Sequence, residues 1–218
     1  MYVEQIMTKD VVAVTVDTAV PELERLMREK RIRHLPVIKS NGTLAGIVSH
    51  RDLQRVAPSP ASTLSQGEAT YLLAKLLAEE IMHKEVVTCA PTTLVEEAGK
   101  LMRRQKVGSL PVVDNGKLVG IVTGMDLVDF FLEITGSYQE DSARIAVHLK
   151  DERGRLAELL TAINQLGGST VSVITTTHPD QAGKRTAIVR FRADDPDQII
   201  KTLHDKEYVL LSEDLPKG

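Results

Sequence analysis

The sequence predicts an α+β protein made of two β-α-β-β-α repeats followed by a third domain of order β-α-β-β-α-β. Three observations carry that prediction. Residues 7–53, from "MTKDVV" to "SHRDL", align with residues 82–127, from "MHKEVV" to "TGMDL", across a single one-residue gap. Roughly four aligned positions in ten are identical, which marks an internal duplication rather than shared composition. Within each copy the apolar spacing switches between the period of strands and that of helices. From about Ala143 the repeat ends and a different alternation of strands and helices begins.

In each copy the first β-rich run, Val11 to Val14 or Val86 to Cys89, reads as a strand. Val20, Leu23, Leu26 and Met27, matched by Val95, Ala98, Leu101 and Met102, then recur at helical spacing, with Thr18 and Thr93 placed as N-caps. "LPVI" or "LPVV", an Asn-Gly turn at Asn41-Gly42 or Asn115-Gly116, and "LAGIVS" or "LVGIVT" form a hairpin, and a second helix opens at the following Asp. Between the copies, "APSPASTLSQGEA" reads as a linker, and "ATYLLAKLLAEEIM" as one helix leading into copy two much as "YVEQIM" leads into copy one. In the third domain "RIAVHLK" alternates as a strand and "RLAELLTAINQLGG" is an amphipathic helix closed by glycines. "TVSVITTTH" and "RTAIVRFRA" are strands around "PDQAGK", "PDQIIKTLHD" is a helix and "YVLL" a last strand, a ferredoxin-like pattern. The predicted boundaries are 1–57 for repeat one, 58–72 for the linker, 73–138 for repeat two and 143–218 for the third domain.

Composition narrows the functions open to such a chain. Its 218 residues carry a formal charge of −3, with Lys and Arg scattered, so no basic field exists to neutralise a run of phosphates. Aromatics make up 3% and Trp is absent, which leaves no stacking platform for single strands. Nucleic acid is therefore not an expected partner. The single cysteine, Cys89, can form neither an internal disulfide nor a thiolate metal site, as suits a reducing compartment. No apolar run approaches the roughly 20 residues of a membrane span. The start "MYVEQIMTKD" lacks the basic and apolar regions of a signal peptide, so a cytoplasmic location without membrane contact is expected. There is no nucleophile elbow, P-loop or clustered metal-ligand spacing, and His83, His148, His178 and His204 read as isolated surface or satisfied residues. The chain is not expected to be an enzyme.

The octets "GIVSHRDL" (46–53) and "GIVTGMDL" (120–127), each with Leu-Pro-Val upstream, resemble the paired motifs of a tandem cystathionine-beta-synthase (CBS) domain pair, or Bateman module. The stretch "DERGRLAELLTAINQLGGSTVSVI" resembles an ACT domain, with Arg153 where that motif usually carries Pro. The combination is similar to the acetoin-utilisation family of CBS-ACT proteins. The resemblance implies a pseudo-symmetric pair of repeats in which the motif Asp takes the hydroxyls of a ribose and the Ser or Thr lies near a phosphate. It also implies a homodimer, an amino-acid site in the loop Asp151 to Arg155 at a subunit interface, and a link to acetoin use or acetyl-coenzyme A synthesis.

The residues themselves allow two readings of the octets. In the plainer one, Ser49 and Thr123 are N-caps, and Asp52 and Asp126 sit in the first helical turn, where a carboxylate suits the helix dipole. In the sharper one, the same carboxylate also accepts hydrogen bonds from a vicinal diol while the helix start offers N–H groups to phosphate. The copies differ in charge: His50 and Arg51 lie within the first octet, and Arg33 and His34 precede the strand expected to flank the same cleft, where the second copy has Gly124, Met125, Gly108 and Ser109. The first cleft is accordingly expected to prefer AMP, ADP or ATP. The second is expected to be empty or to suit an adenosyl compound without phosphates, such as S-adenosylmethionine. Alternatively, those cations form only a solvated basic edge. Val12 and Val87 could line the base or simply be core, and Asp151 and Gly154 could hold an amino acid or form a plain connector. Three functions remain open on this reading: a sensor of an adenine nucleotide acting on an unidentified protein target, a dimeric scaffold that binds no small ligand, and an S-adenosylmethionine or amino-acid sensor.

Overall fold

The computed structural model describes residues 1–57, 65–177, 183–206 and 208–215, in two compact units, residues 1–128 and 129–218. In the first unit the repeats share one plan. Helices α1 (Val20–Lys30) and α5 (Val95–Gln105) bury Val20, Leu23 and Met27 and the equivalent Val95, Ala98 and Met102. Each helix ends on a cation in the left-handed region, Arg31 at φ 54° and Lys106 at φ 55°. The next amide, Ile32 or Val107, turns back to the carbonyl of Met27 or Met102, which satisfies an end carbonyl that would otherwise be orphaned.

The hairpins follow. Strand β2 (His34–Ile38) pairs antiparallel with β3 (Leu44–Ser49), and β4 (Ser109–Asp114) with β5 (Lys117–Thr123). The one-residue gap of the alignment falls in their turns. Asn115 and Gly116 both have positive φ, which makes a two-residue turn of the twist that hairpins favour. In repeat one only Gly42 does, and Lys39 exchanges hydrogen bonds with Thr43 and Gly42 around a longer loop. Short helices close each repeat: α2 (His50–Val56) and α6 (Gly124–Ile134). The equivalent residues Thr43 and Lys117 bridge each other, as a local twofold between the repeats requires.

Several expectations need correction. The first strands are shorter than their β-branched runs: β1 is only Val14–Thr15, parallel to β2, and repeat two keeps a single bridge from Cys89 to Val112. Thr18 and Thr93 are not the caps of α1 and α5; those positions fall on Ala19 and Leu94. Their hydroxyls instead accept from the amides of Thr15 and Ala90, three residues back. The predicted helix over 69–82 is two pieces, α3 (Gln66–Leu73) and α4 (Ala78–Ile81). Ser65 and Glu68 form a capping box, which starts α3 within the segment expected to be linker. Pro58 and Pro60 lie outside the described residues.

The largest departure concerns the lead-in segments, which exchange partners. Residues 1–8 open repeat one in sequence but pack in repeat two. Val3, fully buried, belongs to the cluster of Ala98, Met102, Leu110, Val112 and Val122, its amide bonds Thr93, and Thr8 exchanges both backbone hydrogen bonds with Ile121 of β5. Residues 76–83 open repeat two in sequence but pack in repeat one. Ala78 joins the cluster of Leu23, Leu35, Val37 and Val48, and His83 exchanges both backbone hydrogen bonds with Ile47 of β3.

In the second unit, β6 (Ala143–Lys150), β7 (Ser169–Thr177), β8 (Lys184–Arg192) and β9 (Val209–Asp214) form an antiparallel sheet of order β7-β8-β6-β9. Helices α7 (Arg155–Gln165) and α8 (Pro196–Asp205) supply Leu159, Ile163, Ile199 and Leu203 to a core with Ile145, Val147, Val189 and Phe191. Within this unit the carbonyl of Thr135 accepts from Ser172 Oγ and Arg190 Nε of the sheet.

Candidate functional site

Each octet ends a strand and starts a helix, so its hydroxyl and its carboxylate face each other across one turn. In repeat two, Asp126 Oδ2 accepts from the amide of Thr123 at 2.6 Å and from its hydroxyl at 2.7 Å, and the Asp126 amide returns to Thr123 Oγ1 at 3.4 Å. That is the capping box the sequence predicts. Asp126 is only partly buried, and among the described residues its Oδ1 has no hydrogen-bond or ion-pair partner.

Repeat one is built the same way and then closed. Asp52 Oδ2 takes the Ser49 amide at 2.8 Å and the Ser49 hydroxyl at 2.6 Å. Its other oxygen, Oδ1, lies 3.0 Å from His83 Nε2 and 3.5 Å from an Arg55 guanidinium nitrogen, and the carboxylate is buried, its side chain 5% exposed. Burial alone pushes this carboxyl upward, but the Ser49 hydroxyl and amide and the His83 ring together hold it below the usual Asp range. His83, expected to be an isolated or satisfied histidine, is thus part of this site. It stands 31 residues from Asp52 in sequence, and the only available signal was its alignment with Thr8.

The difference in charge between the copies is also a difference in bulk. His34 pairs in register with Ser49, and a Cβ placed on Gly108 would lie 3.3 Å from His34 Cε1. The His34 ring therefore fills room that Gly108, aligned with Arg33, leaves open across the local twofold. Burial, then the neighbouring Arg33, lowers the pKa of this ring below the usual histidine value. Arg33, His50 and Arg51 are exposed and, among the described residues, have no side-chain partner. Val12 packs, partly buried, against the repeat-one core and Val87 against the repeat-two core.

In the second unit, Asp151 is spoken for by Arg185 at 2.7 Å. Gly154 has φ +89°, so its backbone conformation alone explains a glycine there, independent of any close approach by a ligand. It opens onto a groove of about 570 Å³ along α7, lined among others by Glu158, Gln165, Lys206 and Tyr208. Cys89 is buried, which pushes its thiol up to about 11 and leaves it unreactive at neutral pH. Among the described residues no group of three or more His, Cys, Asp or Glu could hold a metal ion, and no helix is long and apolar enough to cross a membrane.

Residues 3–59 and 78–133 match the family model of the CBS domain. A CBS domain-containing protein of Dictyostelium discoideum is 34% identical over 133 residues, 61% of this chain and 92% of that protein. Homoserine O-acetyltransferase of Methanohalobium evestigatum is 32% identical over 127 residues, but this chain spans only 23% of it. Among solved structures, a putative acetoin utilization protein from Vibrio cholerae superposes with a TM-score of 0.54 at 31% identity, covering 64% of this chain and 96% of that one. CBSX2 in complex with AMP gives 0.52 at 32%, covering 61% and 97%. The CBS domain pair of protein MJ0100, in complex with 5-methylthioadenosine and S-adenosyl-L-methionine, gives 0.50 at 26%, covering 60% and 95%.

Proposed function

The chain belongs to the CBS-domain family, and from that premise we propose that it is a non-catalytic regulatory protein that senses an adenosyl ligand through its two octets. Asp52 and Asp126 take the ribose hydroxyls, Ser49 and Thr123 lie toward the phosphate or its replacement, and Val12 and Val87 flank the base. The observation that carries the reading is the Thr123–Asp126 clamp. One carboxylate oxygen is fixed by two hydrogen bonds at 2.6 and 2.7 Å, while the other, on a residue only partly buried, has no partner among the described residues and can accept a hydroxyl. AMP bound to CBSX2, and S-adenosylmethionine and methylthioadenosine bound to MJ0100, support the class of ligand.

Specificity follows charge. Arg33 and Arg51 favour AMP, ADP or ATP in the first cleft, because charge-assisted bonds to phosphate are stronger than neutral ones, with His34 and His50 beside them as further hydrogen-bonding groups. The second, flanked by Gly124 and the exposed Met125, suits an adenosyl compound without phosphates such as S-adenosylmethionine. The C-terminal unit is an ACT-type module that joins the pair in a homodimer and acts with it on a separate protein target. The Vibrio neighbour supports a role near acetoin or acetyl-coenzyme A metabolism. A thermal-shift series with AMP, ADP, ATP, adenosine and S-adenosylmethionine tests the assignment. Neutralising Arg33 and Arg51 together should abolish any preference for ATP over adenosine, and an unchanged preference would sink it.

A further inference from the structure

The two octets are equivalent in sequence but not in readiness, and the difference lies in one side chain from the exchanged lead-ins. His83 and Thr8 occupy aligned positions. Each is pinned through both backbone hydrogen bonds to the strand of the repeat it packs in, His83 to Ile47 and Thr8 to Ile121, at 2.9 to 3.0 Å. The imidazole of His83 reaches Asp52 Oδ1 at 3.0 Å, whereas Thr8, two bonds long, makes no hydrogen bond to Asp126 among the described residues. A ribose diol needs the carboxylate oxygen that Thr123 and Ser49 leave over. At Asp126 that oxygen has no partner among the described residues; at Asp52 it is taken.

We propose that His83 is the gate of the first octet: repeat two binds its adenosyl ligand directly, and repeat one binds only by displacing His83 from Asp52. The displacement is local. The ring is 58% exposed, so it can swing into solvent while its backbone stays fixed on β3. Arg55, 72% exposed and 3.5 Å from the same oxygen, moves with less resistance still.

This inference rests on the reading of the octets as adenosyl sites, and calorimetry of the full chain with adenosine separates the two. Adenosine carries no phosphate, so the basic edge does not enter. The wild type should show two affinities, the weaker lost in Asp52→Ala and the stronger in Asp126→Ala. His83→Thr, which copies the residue at the aligned position, should raise the weaker affinity about fivefold to tenfold and leave the stronger unchanged, the scale of one charge-assisted hydrogen bond at a part-exposed pair. Thr8→His should weaken the stronger site, an arm that does not depend on how His83→Thr folds. Adenosine binding that neither substitution alters would overturn the gate while leaving the octets as sites. Absence of adenosine binding in the wild type and in His83→Thr alike would overturn both.

Discussion

Truncating Val3 to alanine tests the exchange of the lead-in segments, because the residue it should couple to differs between exchanged and unexchanged packing. Val3 is fully buried, and the substitution removes two methyl groups from the repeat-two core. At roughly 0.8 kcal/mol per buried methylene, plus a term for the cavity left behind, the loss should be about 2 kcal/mol. Magnitude alone does not distinguish the packings, so the assay is a pair of double-mutant cycles read by urea denaturation at constant slope. Combined with Leu110→Ala, in the same cluster, Val3→Ala should show a coupling of about 0.5–1 kcal/mol. Combined with Leu35→Ala, in the other repeat's cluster, it should be additive to within about 0.3 kcal/mol. Coupling to Leu35 and additivity with Leu110 would refute the exchange, and with it the route by which His83 reaches Asp52.

The same packing distinguishes two glycines. A Cβ on Gly46 would lie 2.9 Å from the His83 carbonyl oxygen as well as against Met82 Sδ, whereas the three nearest neighbours of one on Gly120 all belong to the side chain of Met7. Gly46→Ala should therefore destabilise by about 2–3 kcal/mol and Gly120→Ala by about 1 kcal/mol, measured by thermal unfolding, since a methionine can move and a paired backbone cannot. Stability should also depend on pH through His34. Its pKa is lowered by burial and Arg33, so the folded state favours the neutral ring. The stability this contributes is fully present above the ordinary histidine value of about 6.5 and is lost as pH falls through the lower folded value. Denaturation at pH 7.5 and 5 should show a steeper loss for the wild type than for His34→Gln; equal losses would contradict it. Asp52 has the same sign in a lower window. Its pKa is held below the usual value, so its contribution is present above about pH 4 and disappears on acidification. Asp52→Asn should remove that acid-linked part, measured as a smaller difference in stability between pH 5 and pH 3.

The repeats and the octets were legible in the sequence because duplication supplies its own control: a spacing seen twice in register is a feature rather than an accident. The capping geometry of Thr123 and Asp126 follows directly from S/T-x-x-D. The exchange was not legible. The apolar spacing of Val3 or Ala78 says that a residue is buried, but two cores descended from one sequence offer nearly the same surface to either lead-in. The role of His83 was hidden for the same reason, since without the exchange it lies on the wrong repeat to meet Asp52. The Val-rich runs predict longer strands than form, because extended backbone is not by itself pairing: among the described residues only Val14, Thr15 and Cys89 of these segments find ladder partners. The asymmetry at Arg33 and Gly108 was read as charge, and its steric half, the His34 ring lodged beside a glycine, appears only when the repeats are set face to face.

The central claim is that the two octets are adenosyl-binding sites rather than helix caps alone. Calorimetric titration of the wild-type chain with AMP, beside an Asp52→Ala/Asp126→Ala double variant of verified fold, tests it most directly. Saturable binding by the wild type that is lost in the double variant is the predicted result. Equal binding by both proteins, or binding by neither, would contradict it and leave Ser49, Asp52, Thr123 and Asp126 as the ends of two helices.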